Sequence, residues 1–169
     1  SIMRKLNFEG PINGLSLGNV SVNFIKEIKK RDIDLSIFPI GDKGEFEAYD
    51  KLDDEFKKWV ESGAASRLKK LTPNPSLKVW HINGSERMLP NQYLYTFYEV
   101  DSPTEEEINI VNLQKHVFFS SAEATETFKL KGCKNVSHVP LGFDPDFYET
   151  EKKYVGEEII HFGLLGKFE

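Results

Sequence analysis

Residues 117–147 constrain the fold more than any other stretch of the chain. Val117-Phe118-Phe119 is a short apolar run that ends in two hydroxyls, Ser120 and Ser121. A segment of helical character follows and closes at Gly132. A second short strand-like run, Val136-Ser137-His138-Val139, follows, and Pro140, Leu141, Gly142, Phe143 and Asp144 then form an exit turn ahead of Phe147. Short runs of this kind bounded by turn formers read as strands, and the intervening run is long enough for two helical turns. Strand, capped helix and strand make an α/β unit, for which a right-handed parallel crossover is the default.

The rest of the chain repeats this alternation. Residues 2–8 alternate apolar and polar side chains as a first strand does, and Gly10, Gly14 and Gly18 punctuate the loop after it. Asn19 or Ser21 can cap the first helix, in which Phe24, Ile25 and Ile28 form one apolar stripe and Lys26, Lys29, Lys30 and Arg31 a wet face. A second strand is expected at 35–40, closed by Gly41. Asp50 precedes another helix with Leu52, Phe56, Trp59 and Val60 on one side and Gly63 at its end. Strands are expected at 77–82 and 93–98. The Asn83-Gly84 pair between them permits a tight hairpin, but Arg87-Met88-Leu89-Pro90 is a poor strand, which favours a loop. Ser102, Pro103 and Glu105 fit an N-cap, N1 and N3 of a capping box, and Ser120 with Glu123 fits a second one. Strands at 116–120 and 136–139 complete the sheet, and 159–165 is a further apolar strand. The expected fold is α/β, a Rossmann-like doubly wound, mostly parallel sheet.

Composition excludes several classes. A chain of 169 residues is long enough for one domain with a sizeable core. It contains no apolar run of about 18 residues, so a membrane span is not expected. A net charge of −5 argues against a general nucleic-acid binder, which needs a basic face to displace counterions. Cys133 is the only cysteine, so neither an internal disulfide nor a cysteine-rich metal site forms, and a reducing, cytoplasmic setting fits.

Four places carry side chains suited to chemistry. The loop 10–18 is glycine-rich ahead of a helix, where backbone N–H groups and the helix dipole favour an anion. Its spacing is neither a dinucleotide fingerprint nor a Walker motif, and glycines that merely permit a tight turn explain it as well. Tyr98-Glu99-Val100-Asp101 sets two carboxylates where an aromatic strand ends. Glu99 and Asp101 share a side if the strand conformation persists, and such a pair can divide acid and base roles or bind sugar hydroxyls. Alternatively Asp101 supports the helix start and Glu99 is solvated. Trp80, His81 and Asn83 cluster at another strand end, where His81 is either structural or a proton handler. Ser121, Gly142 and Asp144 mark the last unit and its exit, as cleft wall and hinge or as plain turn chemistry. No His/Asp/Glu spacing resembles a metal site.

The run from Ser120 through Val139-Pro140-Leu141-Gly142-Phe143-Asp144, with Ser16-Leu17-Gly18 and Tyr98-Glu99-Val100-Asp101, resembles the N-terminal domain of GT-B glycosyltransferases of the group-1 or family-4 type. The similarity covers nearly the whole chain, weakly at 41–90. It implies an acceptor-side Rossmann-like domain over 1–147, a linker over 148–158, and the first strand of a donor-binding domain over 159–169. It implies transfer of a sugar from a nucleotide-sugar donor to a saccharide-like acceptor, with no metal and no further cofactor. By the same resemblance Gly14, Ser16, Gly18, Asn83, Ser121, Gly142 and Asp144 are expected to bind substrate, and Glu99, Asp101 and His81 to assist transfer. The donor-binding half of the same protein is the implied partner, and without it the chain is expected to be inactive. An apolar strand at 159–165 must pair at an edge of this domain or in a homodimer. Two other classes remain open: a non-catalytic Rossmann-like binding module, and a flavodoxin-like nucleotide or flavin binder. The sugar-transfer reading requires Gly14, Asn83 and Glu99 to gather on one rim of the sheet.

Overall fold

A computed structural model describes residues 4–12, 16–40, 54–56, 58–59 and 74–142. Six strands form one parallel sheet: β1 (Arg4–Gly10), β2 (Ile33–Pro39), β3 (Ser76–Val79), β4 (Gln92–Thr96), β5 (His116–Phe119) and β6 (Val136–His138), in the spatial order β2-β1-β3-β4-β5-β6. Helices α1 (Ser16–Lys29), α2 (Glu105–Leu113) and α3 (Ala122–Leu130) cover it. The Rossmann-like α/β expectation holds.

Alternation along the strands sorts the apolar side chains into two layers. Tyr95 points to one face, where Phe8, Ile37 and Val79 meet Ile25 and Ile28 of α1. Its neighbour Leu94 points to the other, where Val117 and Phe119 meet Ile110 and Val111 of α2 and Phe128 of α3. With helices on both faces, β4 and β5 place apolar side chains on two sides, which is why the 117–119 run looks continuous rather than amphipathic. Burying Ile25, 1% exposed, against the sheet contributes about 2 kcal/mol.

Strand boundaries fall within about three residues of the expected ones, and the helix starts that differ have local causes. Helix α1 begins at Ser16, ahead of the expected caps Asn19 and Ser21, so Ser16-Leu17-Gly18 is helical rather than part of the loop. Gly18 lies in the first turn of this helix and is buried. Ser21 is fully buried against β1. A Cβ at Gly10 would lie 2.7 Å from its Oγ, so Gly10 serves the close approach of helix and strand. Lys29 leaves the wet face and stands 5.6 Å above the ring of Phe56 and 5.8 Å above that of Trp59. Residues 54–56 and 58–59 are helical, as expected of that segment.

Both N-caps are displaced from the expected positions, and only the first forms a capping box. Thr104, not Ser102, caps α2: Glu107 N donates to Thr104 Oγ1 at 3.1 Å and Thr104 N donates to Glu107 Oε1 at 3.0 Å. Pro103 disfavours a helical backbone at Ser102, and Glu107 gains a further bond from Tyr98 Oη at 3.3 Å. Ser121, not Ser120, caps α3, accepting from Ala124 N at 3.2 Å. Ser120 is still engaged with the sheet through its own N–H, which donates to Thr96 O at 3.2 Å.

The connection from β3 to β4, residues 80–91, has no helix although the strands are parallel. The expected loop is therefore correct and the hairpin is excluded. Ser85 N donates to Ile82 O at 3.0 Å across a turn in which Gly84 has φ +91°. Asn83 keeps a negative φ, so the turn is of type II, whose third position needs glycine, and not the primed turn of a hairpin.

Candidate functional site

Every strand runs the same way, so the carboxyl ends of all six meet one edge. Along that edge the exits follow the order of the sheet: Gly10-Pro11-Ile12 after β1, Trp80 to Asn83 after β3, Phe97 to Asp101 after β4, and Ser120-Ser121 after β5. Adjacent strands are spaced by about 5 Å, so the first and last of these exits are separated by roughly 15 Å. From β1 the chain steps outward to β2 and then returns past β1 to β3, and the switch point lies between β1 and β3. Such a point opens a crevice because the connections leave it in opposite directions. The N-termini of α1, α2 and α3 face the same edge and add partial positive charge to it.

Asn83 and Glu99, two of the three residues required on one rim, follow adjacent strands at this edge, and both are exposed. The third, Gly14, lies outside the described residues, as do Asp144 and the segments 148–158 and 159–169. His81 is exposed beside Trp80, with ring centroids 5.3 Å apart in an edge-on arrangement. Its carbonyl accepts a hydrogen bond from Ser85 Oγ. Asp101 is exposed in the bend before α2. Strand β4 stops at Thr96, so the alternation that would set Glu99 and Asp101 on one side does not extend to them. The hydroxyl of Ser121 is engaged as a helix cap, and Gly18 is buried in α1. Ser16 opens α1 at the rim. Gly142 is exposed beyond β6.

A well-formed hollow lies elsewhere. A groove of about 600 Å³ runs between α1 and the 139–142 segment, with Phe24, Ile28 and Tyr95 on its floor and Lys30 and Arg31 at its mouth. Of the expected site residues it touches Gly142 alone. Its cations are already engaged, since Glu27 accepts from both Lys30 and Arg31 at 3.0 Å and its carboxyl is held below the usual range by these bonds. The polar groups that a substrate would use lie at the strand ends, and the rim is therefore the candidate site.

Sequence reasoning missed what holds the rim in place. Lys78 is 6% exposed, and its Nζ donates to Gly84 O at 2.7 Å and stands 3.5 Å from Glu9 Oε1. Gln92, fully buried, donates through Nε2 to Ser85 O at 3.1 Å and to Gln114 Oε1 at 3.0 Å, and accepts from Met88 N at 3.1 Å. Gln114 in turn donates to Ser85 O at 2.7 Å. These side chains do for the 80–91 backbone what a crossover helix does through its own ladder, satisfying buried carbonyls from beneath. A lysine and two glutamines in strand or helix-end positions carry no periodic signal; the missing helix between two parallel strands was the available hint.

Among the described residues no group of three or more His, Cys, Asp or Glu side chains converges to hold a metal ion. No helix among them is long and apolar enough to cross a membrane. Comparisons with protein-family models, with curated proteins and with solved structures give no match for this chain.

Proposed function

We propose that this chain is the acceptor-side domain of a GT-B glycosyltransferase and that its strand-end rim receives a saccharide-like acceptor. The observation that carries the reading is the adjacency of the β1, β3 and β4 exits at the switch point, with His81, Asn83 and Glu99 exposed along them. A sugar ring offers an apolar face and a circle of hydroxyls. Trp80 supplies the first kind of contact, and Asn83, Glu99 and Asp101 supply acceptors and donors for the second. Glycosyl transfer then needs the acceptor hydroxyl held beside the anomeric carbon, and positioning of this kind supplies much of the rate. In the proposed reaction His81 or Glu99 takes the proton of that hydroxyl as the bond to the sugar forms and the nucleoside diphosphate leaves. Stabilising the departing diphosphate falls to a donor-binding domain facing the rim.

The strand order favours a second reading. The succession 2-1-3-4-5 is that of flavodoxin-like folds, which bind a phosphorylated cofactor at the β1/β3 switch point. Titration of the 15N-labelled chain separates the two. Free monosaccharides are expected to shift the amides of residues 81–85 and 99–101, while FMN leaves them in place and stays free in the visible spectrum. The chain by itself is expected to transfer no sugar from UDP-glucose. A stoichiometric yellow complex with FMN overturns the glycosyltransferase reading.

A further inference from the structure

The face of the sheet opposite α1 changes character at the switch point. Over β4 and β5 it carries Leu94, Val117 and Phe119, whereas over β1 and β3 the same alternation presents Asn7, Glu9, Ser76 and Lys78. Register pairs them directly, Asn7 with Ser76 and Glu9 with Lys78. Asn7, Ser76 and Lys78 are at most 6% exposed. Among the described residues the Oδ1 and Nδ2 atoms of Asn7 have no hydrogen-bond partner, which is rare for a buried amide and sets this strip apart from the apolar core beside it. Glu9 ends the strip at the rim. Its carboxylate meets Lys78 through Oε1 at 3.5 Å, and its side chain is 31% exposed. The same ammonium donates to Gly84 O, so Glu9 and the Asn83-Gly84 turn, one on each side of the switch point, are held within reach of a single charged group.

We infer that Glu9 is a hydroxyl-binding carboxylate of the acceptor site and that Lys78 is its positioning residue, an assignment that rests on the saccharide reading above. A carboxylate accepts hydrogen bonds from two neighbouring hydroxyls of a pyranose at once, which makes it a natural partner for a vicinal diol. Lys78 stands behind it, nearly closed to solvent, and balances its charge without offering itself to a ligand. The pair therefore selects a neutral polyhydroxylated molecule: a phosphate meets the carboxylate first, and a cation meets a charge already neutralised. By holding Gly84, Lys78 also sets the distance between Glu9 and Asn83, so that one ring can touch both.

The test is saturation-transfer NMR on the 169-residue chain with glucose, galactose, mannose and N-acetylglucosamine, followed by titration of whichever binds and competition with inorganic phosphate. Glu9→Gln keeps the shape and removes the charge, and is expected to weaken binding at least about tenfold. Because it strands Lys78, the double variant Glu9→Gln with Lys78→Met accompanies it; that variant removes both charges, preserves volume and is expected to lose binding equally. Unchanged sugar affinity in both variants overturns the assignment of Glu9 and leaves the saccharide reading standing. Displacement of the sugar by phosphate overturns the selection for a neutral ligand. Failure of all four sugars to bind the unaltered chain removes the saccharide reading itself, and this assignment falls with it.

Discussion

Gln92 offers the sharpest test of how the helix-free β3–β4 connection is held. Leucine at this position keeps the volume and removes every polar atom. Gln114 Oε1 then loses the donor 3.0 Å away, and Met88 N loses the acceptor at 3.1 Å. Gln114 is 4% exposed, so its orphaned oxygen cannot turn to water, and leaving it unpaired costs about 1–3 kcal/mol. Met88 lies on an exposed stretch and its N–H can be rehydrated, which limits that loss to about 1 kcal/mol. Ser85 O keeps its bond from Gln114 at 2.7 Å and contributes little to the difference. Burying the leucine in place of an amide returns about 1 kcal/mol. The net expectation for Gln92→Leu is a loss of about 1–3 kcal/mol, read as a lower midpoint in urea unfolding with an unchanged slope. Gln92→Leu combined with Gln114→Leu should cost less than the two single changes added together, because each single change orphans the partner of the other. A single variant within about 0.5 kcal/mol of the parent, or strict additivity, would mean that these amides do not hold the loop.

Three further outcomes follow from local geometry and charge. Gly132→Ala should cost about 1 kcal/mol, through its φ of +92° alone, since nothing lies within 4 Å of the new Cβ. Gly10→Ala should cost more, about 2–3 kcal/mol, because its Cβ meets Ser21 Oγ at 2.7 Å and the Phe8 ring at 3.0 Å; thermal unfolding ranks the two, and the reverse order refutes the close-approach argument. Tyr98 is pushed up to about 12, by burial first and then by the Glu107 carboxylate. The folded value lies above the unfolded one, so the associated stability is present below about pH 10 and is lost as pH rises toward 12. Ultraviolet titration should show Glu107→Gln lowering the value only part of the way, burial remaining; no movement at all would exclude the carboxylate as a cause. Burial holds the imidazole of His116 below its ordinary value. Its contribution is therefore complete above the unfolded value near pH 6.5 and is lost as pH falls through the lower folded one, which NMR of its ring protons checks directly.

Much of the fold is legible because it rests on interactions between near neighbours in the chain. Short apolar runs bounded by turn formers, such as 35–40 and 116–120, read as strands, and the spacing of Phe24, Ile25 and Ile28 reads as one face of a helix. The alternation of these elements is enough for a parallel α/β sheet. The caps were harder, since Ser102 with Glu105 and Thr104 with Glu107 satisfy the same rule. A bond from Tyr98, nine residues before Glu107, favours the second pair. The candidate site divides in the same way. Trp80, His81, Asn83 and Glu99 stand out because polar and aromatic groups follow apolar strands. Glu9, Lys78, Gln92 and Gln114 look like ordinary surface residues in the sequence.

What the amino-acid order settles by itself is thus the set of strands and helices and the class of sheet that they build, since periodicity acts over a few residues. The placement of β1 between β2 and β3, the gathering of their ends into one rim, and the burial of a lysine and two glutamines beneath the 80–91 loop belong to the tertiary structure alone. They depend on pairings between segments tens of residues apart. Whether a polar side chain is solvated or becomes the only partner of a buried carbonyl depends on which strand lies beside it.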